Sequence, residues 1–158
     1  MTARLEILVV CSGNTCRSPL AAALLAAQLE RAGMGDRIGV TSAGTSAWDG
    51  APASEGSYLV ALERGLDLSP HRARMLTPEM VRRADLVLTM SEGHSRRVAD
   101  LGGAQKVHTW ADYGGRQDAP AEIADPYGGD VADYRATADL LDDLAVPIVA
   151  RLVADLPR

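Results

Sequence analysis

The feature that most constrains the fold is a strand pattern followed almost at once by a helix pattern, all within residues 5–33. "LEILVV" (5–10) is a short apolar run rich in branched residues, the mark of a strand buried on both faces of a parallel sheet. "PLAAALLAAQLERAG" (19–33) has Pro at a first helical position, strong helix formers behind it and Gly33 as a stop. Between them lies the short loop "CSGNTCRS" (11–18). A loop joining a buried strand to a helix start points several backbone N–H groups at one spot, and the helix dipole adds partial positive charge there.

The alternation continues. "RIGVTSAG" (37–44) reads as a second strand, a loop holding Trp48 leads into a helix from about Ser54 to Arg64, and "TPEMVRRA" is a short helix with Thr77 as N-cap and Pro78 behind it. "DLVLTM" (85–90) repeats the buried-strand pattern, "SEGHSRRVADL" is a further helix capped by Ser91, and "KVHTW" (106–110) is a fourth short strand. The segment 112–130 is dense in Gly, Pro and Asp and predicts a long loop, of the kind that forms a lid or a site wall. Beyond it, Leu140, Leu141, Leu144, Ile148, Val149, Leu152 and Val153 recur at helical spacing, with Pro147 expected to kink or split the helix. Strands alternating with helices predict one α/β domain over residues 1–158, a four-stranded parallel sheet with helices on both faces. Ligands of such sheets bind beyond the carboxyl ends of the strands, where the 11–18 loop falls.

Composition narrows the chemistry. A chain of 158 residues, 47% hydrophobic and 23% charged, suits one globular domain, and its net charge of −5 argues against a nucleic-acid partner. The opening residues lack the apolar core of a secretory leader, and no apolar run reaches bilayer length, so a cytoplasmic protein without a membrane partner is expected. Two cysteines and three histidines rule out a disulfide framework and a four-thiolate metal site. No metal or cofactor is expected, and Cys11 and Cys16 are read as reactive.

Cys11 opens the loop in surroundings that favour an anion, with Arg17 adding a full positive charge, and this combination makes a nucleophile. The planar fork of Arg17 suits two oxygens of a phosphoryl group while the sulfur attacks phosphorus from the third side. Gly13 and Asn14 tolerate left-handed backbone, and Ser18 is placed to donate a hydrogen bond to the sulfur. A lone cysteine here is equally a small buried residue, and Asp-Pro at 125–126 is a common turn opener; the surrounding pattern decides both.

"CSGNTCRSP" fits a C-x-x-x-x-x-R-S signature and resembles the low-molecular-weight protein tyrosine phosphatase family. "SAGT" (42–45), Trp48, "HRAR" (71–74), "ADLVLTM" (84–90) and "DPYGG" (125–129) follow in that family's order, covering nearly the whole chain. The resemblance implies Cys11 as nucleophile, Arg17 as phosphate clamp and Asp125 as general acid. Ser12, Gly13, Asn14, Thr15, Cys16 and Ser18 become the phosphate-binding loop, with Asn14, Ser18, Ser42 and His71 as its hydrogen-bonded support. Trp48 and Tyr127, both in predicted loops, are expected to wall a slot beside it together with Thr15. A leaving group also needs a proton at neutral pH, which a carboxyl in a loop stiffened by Pro126 is suited to give.

A deep slot admits only a long side chain phosphorylated at its far end, leaving phosphotyrosine and phosphoarginine. Tyrosine-directed members usually carry a larger aliphatic residue at the position of Thr15, whereas the protein-arginine-phosphatase branch resembles this chain in having Thr there and Gly-Gly after the aromatic of the acid loop. Phosphoarginine is therefore the favoured substrate and phosphotyrosine the alternative. Arsenate reductases share the cysteine loop but use two later cysteines, which are missing here. A phosphocysteine carrier domain would lack the Arg17 clamp, and a phosphopeptide-binding module without turnover is the remaining non-enzymatic reading. The expected partner is a phosphorylated protein, with the chain itself a monomer or weak dimer. Cys16, in the same loop, is expected to trap an oxidised Cys11 as a disulfide.

Overall fold

The computed structural model describes residues 4–115 and 122–156. Four parallel strands, β1 (Leu5–Cys11), β2 (Ile38–Gly44), β3 (Leu86–Thr89) and β4 (Val107–Thr109), form one sheet in the order β2-β1-β3-β4. The chain leaves β1 for β2 on one side and later crosses to β3 on the other. The carboxyl end of β1 is thus the point where strand order reverses and a crevice opens.

Side chains of β1 alternate between two cores. Ile7, Val9 and Cys11 face a layer built by α1 (Arg17–Arg31), α2 (Glu55–Glu63), α5 (Trp110–Tyr113) and α6 (Val131–Asp155). Leu8 and Val10 face the opposite layer, built by α3 (Pro78–Arg83) and α4 (Glu92–Val98). Helices therefore cover both faces, as the buried-strand patterns require. Leu20, Leu25 and Leu29 put the apolar stripe of α1 fully into the larger core, each worth roughly 1.5–3 kcal/mol of burial. Among the described residues, no helix is long and apolar enough to cross a membrane.

Several boundaries differ from those expected. Helix α1 begins at Arg17, ahead of Pro19. Proline is tolerated there because the first four N–H groups of a helix have no intrahelical partner. Trp110, expected in the fourth strand, starts α5, where Thr109 caps the Asp112 N–H and the buried indole N–H donates to the Leu141 carbonyl (3.2 Å). Asp112 and Tyr113, assigned to the long loop, belong to the same short helix, and residues 116–121 of that loop lie outside the described residues. The helix after Ser91 is α4 followed by a wider turn over Ala99–Gly103, where Gly102 takes φ 103°. Pro147 does not split the last helix, because α6 runs unbroken from Val131 to Asp155. The carbonyl four residues back belongs to exposed Asp143, which faces solvent, while Leu144, Ala145, Ile148 and Leu152 hold the helix against the core.

Candidate active site

Cys11 ends β1, and the next five residues curl into a loop that closes on the N-terminus of α1. The carbonyls of this loop are anchored from outside. The Thr45 N–H donates to Cys11 O (2.9 Å), Ser46 N–H to Ser12 O (2.9 Å) and Ser54 N–H to Thr15 O (2.9 Å). The His71 Nε2–H donates to Asn14 O (2.7 Å) and the Ser57 hydroxyl to Cys16 O (3.0 Å). In a trans peptide the carbonyl and the following N–H point in opposite directions. Anchoring those carbonyls therefore turns the N–H groups of Ser12, Gly13, Thr15, Cys16 and Arg17 to the other side of the loop, an anion cradle made of backbone.

Asn14 is the keystone of the support. It takes φ 56°, a left-handed conformation that Asn tolerates better than most residues. Its Oδ1 accepts the Arg74 N–H (2.9 Å), which assigns the amide nitrogen. Nδ2 then donates to Ser18 Oγ (2.8 Å) and Ser42 Oγ (2.9 Å). With Asn14 donating to it, the Ser18 oxygen has its own hydrogen free for Cys11 Sγ, 2.9 Å away. Donating to a carbonyl fixes the proton of His71 on Nε2, and burial above all holds its pKa below the ordinary value, with Arg72 and Arg74 adding to that and the Asn14 bond opposing it. The structure thus brings Asn14, Ser18, Ser42 and His71 into one network with the Cys11 sulfur.

Arg17 is buried. Its Nη1 donates to the Ile123 carbonyl (2.9 Å), Nη2 to Ser12 Oγ (3.5 Å), and Nη2 lies 3.6 Å from Asp125 Oδ2. Among the described residues Nε finds no acceptor, which leaves a buried donor for a ligand in the cradle. Asp125 reaches the site from the long loop, its Oδ1 accepting the Tyr127 N–H (3.1 Å) across Pro126. Cys11, Gly13, Thr15, Cys16, Arg17, Asp125 and Tyr127 line a cavity of about 160 Å³. Tyr127 stands at its rim, 78% exposed. Trp48 is 84% exposed on the β2–α2 loop and is not among the lining residues, so this conformation does not bring it to the slot wall. Cys11 and Cys16 are both buried free thiols lining the same cavity.

Three contributors escaped the sequence reading. His94, on α4, places Nε2 2.9 Å from Ser12 Oγ and Nδ1 2.9 Å from Ser91 Oγ. Burial first, and the Arg17 charge second, lower its pKa to about 4, with Asp125 pulling the other way, so the ring is neutral at neutral pH. Tyr134, on α6, sets its hydroxyl 3.6 Å from Cys16 Sγ, and burial raises its phenol above the ordinary value. Gly44 ends β2 where a Cβ would meet the Ser12 carbonyl and come within 2.9 Å of Asn14 N, a close approach only glycine allows. The signal for Gly44 was present in "SAG"; His94 and Tyr134 carried none beyond their residue types.

Residues 6–158 match the model of the low molecular weight phosphotyrosine protein phosphatases. The chain is 34% identical over 153 residues to the protein-arginine-phosphatase of Bacillus subtilis (strain 168), covering 96% of this chain and 99% of that protein. It is 36% identical over 137 residues to low molecular weight protein-tyrosine phosphatase A of Mycobacterium tuberculosis (strain ATCC 25618 / H37Rv), covering 85% and 83%. Among solved structures, it is similar to the YwlE arginine phosphatase from Geobacillus stearothermophilus, with TM-score 0.84, 35% identity and 96% and 94% covered. A YwlE cysteine-to-serine mutant with a phosphorylated active-site serine superposes with TM-score 0.88 at 33% identity, covering 96% and 97%. With four parallel strands, the anchored cysteine loop and this likeness over nearly its full length, the chain belongs to the low molecular weight phosphotyrosine protein phosphatase family.

Proposed function

We propose that this phosphatase hydrolyses phosphoarginine in proteins through a phosphocysteine intermediate on Cys11. The observation that carries the reading is the lining of the 160 Å³ cavity, where the hydroxyl-bearing Thr15 sits beside Cys11, Arg17 and Asp125. Identity does not choose the substrate, since a named arginine phosphatase at 34% and a named tyrosine phosphatase at 36% are about equally similar. The cavity chemistry does favour one. A Thr hydroxyl meets a polar guanidino group, whereas an aromatic ring gains nothing from it. Gly128, with φ 82°, follows Tyr127 in backbone that a second aromatic would strain, so the rim carries a single ring.

In the proposed reaction the Cys11 sulfur attacks phosphorus while the P–N bond breaks, and the leaving guanidine nitrogen takes a proton from Asp125. The loop N–H groups and the free Nε of Arg17 hold the equatorial oxygens, where charge spreads in the transition state. Water then attacks the phosphocysteine, Asp125 takes its proton, and the S–P bond breaks with the sulfur received by the Ser18 hydroxyl. The substrate is a phosphorylated protein of the cytoplasm, and the scheme asks for no metal, cofactor, nucleic acid or membrane.

The test compares phosphoarginine and phosphotyrosine peptides of one sequence, in the wild type and in Thr15→Ile. The wild type should prefer phosphoarginine, and the variant should shift the ratio of kcat/KM by about 10- to 100-fold toward phosphotyrosine, the worth of one specific contact. A wild type that prefers phosphotyrosine, or a ratio unmoved by the substitution, returns the chain to the tyrosine-phosphatase reading. Cys11→Ser should abolish turnover in either case.

Cys16 is assigned a protective role in the same scheme. Peroxide converts the Cys11 thiol to a sulfenic acid with release of water; the Cys16 sulfur attacks it, expels a second water and closes a disulfide that thiols reopen. Support comes from the shared cavity. Activity lost to mild peroxide should return with dithiothreitol in the wild type and stay lost in Cys16→Ala; equal recovery of both proteins would reduce Cys16 to packing.

A further inference from the structure

We propose that His94 is a positioning residue for phosphoryl transfer, fixing the Ser12 hydroxyl and, through it, the plane of the Arg17 guanidinium. The inference rests on the reading of Cys11 and Arg17 given above. Four side chains from two parts of the chain form one line: Ser91 Oγ to His94 Nδ1 (2.9 Å), His94 Nε2 to Ser12 Oγ (2.9 Å), and Arg17 Nη2 to Ser12 Oγ (3.5 Å). Ser91 is also the N-cap of α4, accepting the His94 N–H (3.3 Å), so the start of that helix is where the imidazole is clamped.

The hydrogens can be followed. The Ser91 oxygen accepts the His94 N–H, which leaves its own hydrogen for Nδ1. Nε2 then carries the ring proton and donates to Ser12 Oγ, whose second lone pair takes Nη2–H of Arg17. Arg17 is thereby hydrogen-bonded at two points, Ser12 Oγ on Nη2 and Ile123 O on Nη1, beside its ion pair with Asp125 (3.6 Å), and Nε–H is left over. Without His94 the Ser12 hydroxyl is free to turn through its rotamers, and the guanidinium loses one of its two hydrogen bonds to the protein. The cost falls on the transition state, because a planar fork a few tenths of an ångström out of place matches the equatorial oxygens less well. A neutral ring serves this better than a charged one, which would compete with Arg17 for the same anion. Burial and Arg17 itself keep it neutral.

The experiment measures kcat/KM on an aryl phosphate, and inhibition constants for vanadate and inorganic phosphate, in wild type, His94→Ala, Ser12→Ala, the double variant and His94→Gln. His94→Ala should lower kcat/KM about 10-fold and weaken vanadate, the trigonal mimic, several-fold more than phosphate. Ser12→Ala should cost about the same, and the double variant no more than either single, because both break one line. His94→Gln, which can place a donor near the Nε2 position, should restore most of the activity. Independent, multiplying losses, equal weakening of vanadate and phosphate, or wild-type kinetics in His94→Ala would each overturn the proposal. If His94→Ala does not fold, the cycle is run with His94→Leu, which fills the site without a donor: losses in His94→Leu and Ser12→Ala that do not multiply in the double variant support the line, and losses that multiply refute it. A wild type without turnover or vanadate binding would instead sink the phosphatase reading on which the proposal rests.

Discussion

Asp125 is half in the site and half out. Its side chain is 46% exposed, with one oxygen fixed by the Tyr127 N–H (3.1 Å) and the other 3.6 Å from the Arg17 guanidinium. One oxygen thus belongs to the turn and the other hangs over the cavity, the arrangement a general acid needs. Asp125→Asn keeps the turn and removes the proton. Turnover of aryl phosphates with poor leaving groups should fall by roughly 10²–10⁴, and that of substrates whose leaving group needs no proton should fall much less. A series of substituted phenyl phosphates checks this, since the variant should depend more steeply on leaving-group pKa; parallel lines for the two proteins would point to another acid. At this scale the sequence is legible where partners are contiguous. Cys11, Asn14, Arg17 and Ser18 lie within eight residues, and their order in the chain encodes their contacts. Ser12 meets His94 across 82 positions and Cys16 meets Tyr134 across 118, and no local pattern reports such pairs.

Elements were legible when the physics that forms them is local. The apolar runs of β1 and β3, the Thr77 and Ser91 caps and the Gly33 stop all sit where patterning and capping place them. The misses are tertiary. Trp110 reads as strand by propensity, yet its indole is drawn into the core and its N–H to α6, which ends β4 at Thr109. Pro147 reads as a breaker, yet the apolar residues on either side of it hold α6 together, because burying Leu144 and Ile148 outweighs one missing backbone hydrogen bond. The supporting role of β2 lies between these cases. Its end at Gly44 pairs with Cys11 in register, which brings the next two N–H groups, of Thr45 and Ser46, onto the carbonyls of the cysteine loop. Strand register, a property of the whole sheet, is therefore what shapes the cradle.

For the whole molecule, the two histidines of the site have a consequence for stability. His94 is held at about 4 by burial and Arg17, and His71 is held below its ordinary value, mainly by burial. In the unfolded chain both titrate near 6.5. Between about pH 6.5 and pH 4 the unfolded state therefore binds protons that the folded state refuses, and by linkage the free energy of unfolding falls as pH falls through that window. Above pH 7 neither ring contributes a slope. The lowered carboxylates act elsewhere: Glu63, paired with Arg135, and Asp67, bonded to Ser69, hold stability that is present above the unfolded carboxylate range and lost only as pH drops through their own lower values. Acid weakening that begins near pH 6.5 thus belongs to the site, and for His94 it amounts to roughly 1–3 kcal/mol by pH 4 once solvent screening is allowed for. Urea midpoints measured from pH 7.5 to 4.5 should decline steadily in the wild type, and His94→Gln, whose side chain does not titrate, should remove a large part of that decline while keeping the hydrogen bond to Ser12. A wild-type midpoint that is flat down to pH 5, or a variant that retains the full slope, would mean that protons enter the folded site freely and that the neutral imidazole beside Arg17 is not imposed by the fold.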